Sequence, residues 1–223
     1  IVNGLVGSEM CIRDSDQSAA LNTYGNISNW DVSAVTDFSE VFRNKTTFNS
    51  DISNWDVSSG TDFSTMFHDA DSFNQDISSW NVSAGTNFHK MFANNQSFNQ
   101  NIGDWDVSSG TDFSGMFWSA DVFDQDISSW NVSSGESFDR MFNGATAFDQ
   151  DISSWDVSSG TNFNYMFRYG TFNQDLSSWD VSSGAYISYM FEYNNSMQTG
   201  QGVDANPDHS YFLGSDNTPP AQP

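Results

Sequence analysis

The chain has 223 residues and a formal net charge of −23, because 29 acidic side chains face only six lysines and arginines. This charge argues against nucleic acid as a partner, since phosphate binding requires clustered basic residues, and no apolar run approaches the roughly 20 residues of a membrane helix. The single cysteine, Cys11, excludes an internal disulfide framework, whereas 20 Phe and 8 Trp can form a core.

Residues 1–15, IVNGLVGSEMCIRDS, share nothing with the sequence that follows them. The segment resembles a translated sequencing-library adapter, so we predict that it is foreign to the protein and exclude it from the fold. A short natural leader is the alternative, but the segment lacks a basic start followed by a continuous apolar stretch.

A repeat of 25 residues follows, and we predict that residues 16–195 form one domain of seven repeats. In each repeat a tryptophan lies between an aliphatic residue three positions before it and a valine two positions after it. A Phe-x-x-Met-Phe motif begins eight residues after the tryptophan in most repeats. Tryptophans at one repeated position indicate core filling: Trp30, Trp55, Trp80, Trp105, Trp130, Trp155 and Trp179.

Two periodicities alternate within each repeat. Trp-x-Val alternates as in a β-strand, with both apolar side chains on one face. Phe-x-x-Met-Phe places large residues at i, i+3 and i+4, which is typical of one face of a short helix, and the threonine of the intervening Ser-Ser-Gly-Thr could cap it. We therefore predict an α/β repeat solenoid of seven strand–turn–short helix rungs that share a continuous core.

Acidic residues recur in register along this predicted stack, in columns such as the one that includes Asp31, Asp56 and Asp106. One interpretation is a solvated acidic face suited to salty water, where screening reduces repulsion. The other is weak calcium binding by paired oxygen ligands. The candidate ligands are Asp121, Asp124, Asp126, Asp149 and Asp151, with a further loop at Asp69, Asp71 and Asp76.

No catalytic motif accompanies these carboxylates. The sequence contains no phosphate-binding glycine loop, no G-x-S-x-G and no H-E-x-x-H, and its three histidines occupy unrelated repeat positions. We therefore predict that the protein is not an enzyme and needs no cofactor, with calcium left open. From residue 196 onward the composition shifts to Gln, Gly, Asp and Pro, so residues 196–223 read as a tail or linker.

The predicted strand side is repetitive, whereas the predicted helix side varies from repeat to repeat. Identical rungs suit a repetitive partner such as a glycan chain, a mineral or ice lattice, or another copy of the chain. We therefore predict a binding face that includes Ser78, Asn81, Asp106, Asn131 and Asp156. On the varied side, Trp118 lies outside the repeated columns and forms with Arg140 an aromatic and basic combination that a protein partner could recognise.

The string FDQDISSWNVSSGESFDRMFNGATAFDQDISSWDVSSGTNFNYMF resembles BspA-type leucine-rich-repeat surface proteins. It is similar in particular to their surface repeat, which is also catalogued as a Mycoplasma-type domain of unknown function, and the resemblance covers about residues 21–195. It implies a leucine-rich-repeat-like horseshoe, export to a cell surface and a role in adhesion or protein contacts. The family usually has valine before the repeated threonine, as at Val35 before Thr36. Six repeats of this chain have glycine at that position instead, from Gly60 to Gly184.

These features together predict an extracellular or cell-surface repeat protein that acts without catalysis in adhesion or in protein or glycan contacts. Its partner would be a surface protein, a glycan, a lattice or a second copy of itself. One alternative is an ice-binding protein, because small hydroxyl side chains recur in rows, such as Ser58, Ser83 and Ser108, although the threonine row that starts at Thr36 is interrupted by Glu136 and Ala185. Another is a spacer domain of a larger exported protein.

Overall fold

A computed structural model describes residues 25–212 of the chain, so the prediction for residues 1–15 lies outside the described residues, as does the end of the predicted tail. The described part contains 3-10 turns at Ile27–Asn29 and His209–Tyr211 and a π-helical turn at Met197–Gln201. None of the helices in this part is long and apolar enough to cross a membrane.

The predicted repeat is confirmed, because residues 25 positions apart contact one another along most of the described chain. Seven coils stack on each other, and isolated parallel bridges of one residue per coil join each coil to the next. In the first bridge, Phe38 N–H donates to the Asp62 carbonyl at 2.8 Å and Asp62 N–H donates to the Thr36 carbonyl at 3.2 Å. The bridged column consists of Asp37, Asp62, Asn87, Asp112, Ser137, Asn162 and Tyr186.

The predicted strand at Trp-x-Val is wrong. Trp105 N–H donates to the Ile102 carbonyl at 3.1 Å and Gly110 N–H donates to the Val107 carbonyl at 2.8 Å, so turns lie on both sides of the motif. These turns use the backbone groups that a β-ladder would need. The β-bridges between coils therefore occur later in each coil, at the single-residue column that starts at Asp37. No extended strand forms in residues 25–212.

The predicted short helix at Phe-x-x-Met-Phe is also wrong. In an α-helix every N–H in the segment would donate to the carbonyl four residues earlier. Here alternate N–H groups close overlapping turns, as from Met66 to the Phe63 carbonyl at 3.3 Å, and the others donate to the next coil, as from Thr65 to the His89 carbonyl at 2.7 Å. The α/β solenoid of strand–turn–helix, leucine-rich-repeat-like rungs is therefore replaced by a stack of coils built from turns.

We call residues 38–45 and the equivalent residues of the other coils the turn segment. Residues with a left-handed backbone conformation make an α-helix impossible there. Two positions per segment have positive φ, for example Thr65 at 53° and Asp69 at 57°. Glycine occupies such a position at Gly115 and Gly144, and the other residues are larger. They are Glu40, Asn44, Thr65, Asp69, Lys90, Asn94, Ser119, Arg140, Tyr165, Tyr169, Tyr189 and Tyr193.

Aromatic columns form the core of the stack. Phenylalanines at three repeated positions stack nearly parallel on their equivalents in the next coil, with ring centroids 5.3–5.6 Å apart in the column that starts at Phe38. The tryptophans of the repeated column are buried from Trp55 to Trp179, and Trp30 is half-buried. Each buried indole N–H donates to the carbonyl of the aliphatic residue in the preceding coil, as from Trp105 to Ile77 at 3.1 Å, which fixes the register between coils.

The glycine before the repeated threonine allows a phenylalanine ring to lie directly on the backbone. Gly60, Gly85, Gly110, Gly135 and Gly160 are buried. A Cβ atom at any of them would lie 2.2–2.6 Å from the ring of the phenylalanine three residues later, closer than real contacts allow. The departure from valine thus permits a close approach of ring and backbone within each coil.

Residues 196–212 cover the last coil. In earlier coils, turn-segment N–H groups donate to the next coil, and here Phe191 N–H donates to the Ala205 carbonyl at 3.1 Å and Tyr189 N–H to Asn206 Oδ1 at 2.7 Å. Met197 and Phe212 are buried against the core. This segment therefore satisfies polar groups and covers apolar surface at the C-terminal end of the described stack.

Candidate binding surface

The aspartates of the acidic columns accept hydrogen bonds from the serines two residues later in the same turn. Asp56 Oδ1 accepts the N–H of Ser58 at 3.1 Å and its hydroxyl at 2.6 Å. These bonds hold the pKa of Asp56 below its usual value, and the hydroxyl contributes more than the backbone N–H. The pKa is lowered for the same reasons at Asp31, Asp76, Asp106, Asp126, Asp151 and Asp156.

The first calcium candidates are divided between two structural networks. Asp124 Oδ1 accepts the backbone N–H of Asp149 at 3.1 Å and the side-chain amide of Gln150 at 2.8 Å. Asp149 accepts equivalent bonds from the next coil, in a ladder that Asn49, Asn74 and Asn99 begin. Asp126 and Asp151 instead accept bonds from the serines two residues later, and Asp121 is exposed.

The second calcium loop is divided in the same way. Asp69 Oδ1 accepts the Asn94 side-chain amide at 2.9 Å, Asp76 accepts the Ser78 N–H, and Asp71 is half-buried. Within residues 25–212, no three side chains among His, Cys, Asp and Glu come together in a group that could hold a metal ion.

The hydroxyl rows are used to join coils or to close turns. Thr86 Oγ1 donates to the Thr61 carbonyl at 3.2 Å, and Thr111 Oγ1 donates to the Thr86 carbonyl at 3.2 Å. Ser83 Oγ donates to Asn81 Oδ1 at 2.7 Å. Because these hydroxyl groups already donate to protein oxygens, the rows have fewer free donors for hydrogen bonds to an ice lattice.

The structure separates the residues predicted for binding. Ser78, Asn81, Asp106, Asn131 and Asp156 are exposed and lie on the acidic, serine-bonded side of the coils. Trp118 is half-buried in a turn segment.

Trp118 and Arg140 each pair with a different residue. Lys90 Nζ lies 5.1 Å from the centre of the Trp118 ring, whereas the guanidinium carbon of Arg140 lies 4.5 Å from the centre of the Tyr165 ring. Trp118 and Arg140 therefore take part in two separate cation–π contacts, and the larger group of exposed aromatic rings lies further along the stack than Trp118.

That group is a tyrosine patch, which we define as Tyr165, Tyr169, Tyr189 and Tyr193 with their neighbouring arginines. Tyr165 stacks on Tyr189 with ring centroids 5.4 Å apart and planes 9° from parallel. Tyr169 stacks on Tyr193 at 4.8 Å and 3°. Tyr169, Tyr189 and Tyr193 are 49%, 45% and 58% exposed, unlike the buried phenylalanines of the core.

Two arginines hold these rings in place. The Arg168 guanidinium carbon lies 4.4 Å from the Tyr169 ring centre and 5.3 Å from that of Tyr165. Arg168 Nε lies 2.6 Å from a carboxylate oxygen of Glu192, and Arg140 bonds to the carboxylate of Asp139. Each arginine in the patch is therefore paired with an acidic side chain as well as with an aromatic ring.

Basic residues are confined to the side that carries this patch. In the described part of the chain all lysines and arginines lie in turn segments: Arg43, Lys45, Lys90, Arg140 and Arg168. The variation of this side is visible in the sequence, but the tyrosines were not among the predicted binding residues. The available signal was a tyrosine directly before Met and another two residues after Phe in the last two repeats only.

The fold and this surface define a repeat protein made of stacked coils, with the acidic columns on one side and the tyrosine patch on another. The chain belongs to the family described as Mycoplasma protein of unknown function, DUF285, which matches residues 15–120 and again residues 100–203. Neither a curated protein nor a solved structure matches the chain.

Proposed function

We propose that this chain is a non-catalytic binding module that acts at a cell surface in contacts with proteins or glycans. The observation that carries the proposal is the exposed tyrosine patch on an otherwise acidic stack. Tyrosine supplies a large contact area at low entropic cost, because its side chain has few rotatable bonds. Five of the seven tyrosines of the chain lie between residues 165 and 193.

The architecture supports this role. Each coil is joined to its neighbours by backbone hydrogen bonds, indole N–H groups and stacked rings, as between Phe167 and Phe191 at 5.7 Å, so the patch rests on a packed support. The resemblance to BspA-type surface proteins supports location outside the cell and a role in adhesion. The serines and aspartates of the acidic side already bond to one another, which favours the tyrosine patch as the contact surface.

Binding to intact cells tests the proposal. The labelled chain should bind saturably to bacterial or animal cells, and Tyr169→Ala combined with Tyr193→Ala should weaken that binding roughly tenfold or more if these rings are central anchors. The matched control is Asp106→Asn with Asp156→Asn, which changes two exposed residues on the acidic side and should retain binding. Absence of saturable binding to any cell type, or equal binding by all three proteins, would refute the proposal.

A further inference from the structure

We propose that the tyrosine patch binds an arginine-rich segment of a partner protein, whose guanidinium groups stack on Tyr189 and Tyr193. This inference rests on the proposed binding function and specifies the chemistry of the partner. The chain already pairs its own arginines with tyrosine, exposed rings end both tyrosine stacks, and the molecule carries a large negative charge.

The chain repeatedly places a guanidinium against a tyrosine ring. Arg140 lies over Tyr165 at 4.5 Å, and Arg168 lies within 5.5 Å of the ring centres of Tyr165, Tyr169 and Tyr193. A planar cation is attracted by the electron-rich face of an aromatic ring, and arginine adds stacking to this attraction. The patch therefore already contains the type of contact that we assign to the partner.

The rings of the last coil end the two tyrosine stacks. Tyr189 stacks on Tyr165, and Tyr193 stacks on Tyr169, but no further ring follows either of them among residues 25–212. Both side chains remain about half exposed. Tyr186, three residues before Tyr189, is another exposed tyrosine of this coil, at 66%.

Charge favours a cationic partner over an anionic one. The arginines of the patch are paired with Asp139 and Glu192, so these four charges sum to zero. The whole chain carries −23, and a field of one sign attracts ligands of the opposite sign and accelerates their encounter. A basic segment would thus be attracted by the molecule and held specifically by the rings.

A peptide comparison tests the proposal on the full unaltered chain. Fluorescence anisotropy at 150 mM sodium chloride would measure binding of labelled deca-arginine and deca-lysine, which carry the same charge. We expect deca-arginine to bind roughly fivefold more tightly, because guanidinium stacks on aromatic faces better than ammonium does. Equal affinities would mean that only the net charge is recognised and would overturn the proposal.

Variants then locate the site. Tyr189→Ala with Tyr193→Ala should remove the preference for arginine, whereas Tyr189→Phe with Tyr193→Phe keeps both rings and should retain it. The control Asp106→Asn with Asp156→Asn, which changes exposed residues outside the patch, should leave the preference for arginine unchanged. Thermal unfolding checks that each variant is folded, and Tyr193→Ala alone, which should reduce the preference in part, replaces the double variant if that one unfolds.

Other outcomes separate this inference from the proposed function. An unchanged arginine preference in folded Tyr→Ala variants, or displacement of deca-arginine by a neutral hexasaccharide, would overturn the inference. Patch-dependent cell binding without any arginine preference would leave the proposed function intact and reject only the assigned partner. An arginine preference without cell binding would support the inference about the patch and reject the cell-surface role.

Discussion

Gly110 illustrates how the absence of one side chain sets the geometry of a coil. A Cβ atom at this buried position would lie 2.4 Å from Phe113 Cζ and 3.0 Å from the Val107 carbonyl oxygen. The Phe113 ring is fixed by the phenylalanines of the coils on both sides, with centroids 5.6 Å away. The ring therefore has little freedom to move away from an added methyl group.

We expect Gly110→Ala to lower the free energy of unfolding by about 1–3 kcal/mol, the usual cost of overpacking a dense core. The matched control is Gly184→Ala, since a Cβ atom there would meet only Ser182 Oγ at 3.9 Å. Urea titration measures both variants. Equal losses would show that ring contact is not what requires glycine in this column.

Ser158 and Asp156 allow a test of the acidic turns. Ser158 donates its hydroxyl at 2.6 Å and its N–H at 3.1 Å to Asp156 Oδ1, and these bonds lower the pKa of Asp156. Because the folded pKa lies below the unfolded one, the stabilising contribution is complete above the ordinary value of 3.8. It is lost as pH falls through the lowered folded pKa.

Ser158→Ala should therefore raise the pKa of Asp156 towards its ordinary value, since only the backbone donor remains. A carboxyl-carbon NMR titration measures this pKa directly. Ser159→Ala, which removes a hydroxyl that does not bond to Asp156, is the control and should leave the pKa unchanged. A pKa of Asp156 unaffected by Ser158→Ala would contradict the assigned role of the hydroxyl.

At the scale of elements, the turn segment contains residues in a conformation that they do not favour. Thr65 has φ of 53°, and a left-handed backbone costs an L-residue roughly 1–2 kcal/mol, most clearly when the side chain is β-branched. Two coils later the equivalent residue is Gly115, with φ of 61°. The inter-coil hydrogen bonds of the stack maintain this geometry whichever residue occupies the position.

Thr65→Gly should consequently raise the free energy of unfolding by up to about 1 kcal/mol, because relief of strain exceeds the entropy that glycine loses on folding. Thr61→Gly is the control, because Thr61 does not have positive φ and its hydroxyl donates to the Thr36 carbonyl. This control should lower stability. Thermal unfolding measures both variants. A loss of stability in both would show that the backbone at Thr65 is not strained.

The same segment explains which parts of the fold could be predicted from the sequence. The 25-residue register was readable because each aromatic column recurs at one spacing. The local structure was not readable, because overlapping turns also place Phe63, Met66 and Phe67 towards the core, as a helix would. Glu40 and Lys90, at the first of the two positions, do not favour positive φ. Asn44, Asn94 and Gly144, at the second, do favour it, so the sequence carried a signal for only one of the two positions that exclude a helix.

The surface was readable only in part for a related reason. The acidic and serine residues form obvious rows, but their mutual hydrogen bonds depend on the turn geometry, as between Asp56 and Ser58. The tyrosine patch could not be predicted without knowing that Tyr165 and Tyr189 lie on the same side of adjacent coils. That placement follows only from the correct conformation of the turn segment.

At the scale of the whole molecule, charge opposes the stack that the aromatic core stabilises. A charge of −23 produces repulsion, and the acidic columns place like charges on successive coils. The pKa of Asp56 is lowered by Ser58, while the neighbouring charge of Asp31 acts in the opposite direction. Local bonds therefore keep these carboxylates ionised, and repulsion between them must be reduced by ions in solution.

We accordingly expect sodium chloride to raise the melting temperature between 20 and about 300 mM, as the Debye length shortens from more than 20 Å to roughly 6 Å. Calcium chloride at matched ionic strength should have the same effect, because Asp124 and Asp126 already accept bonds from the protein. Differential scanning calorimetry measures both series. A large rise specific to sub-millimolar calcium, removed by Asp124→Asn with Asp126→Asn, would contradict screening and establish bound calcium as the stabilising agent.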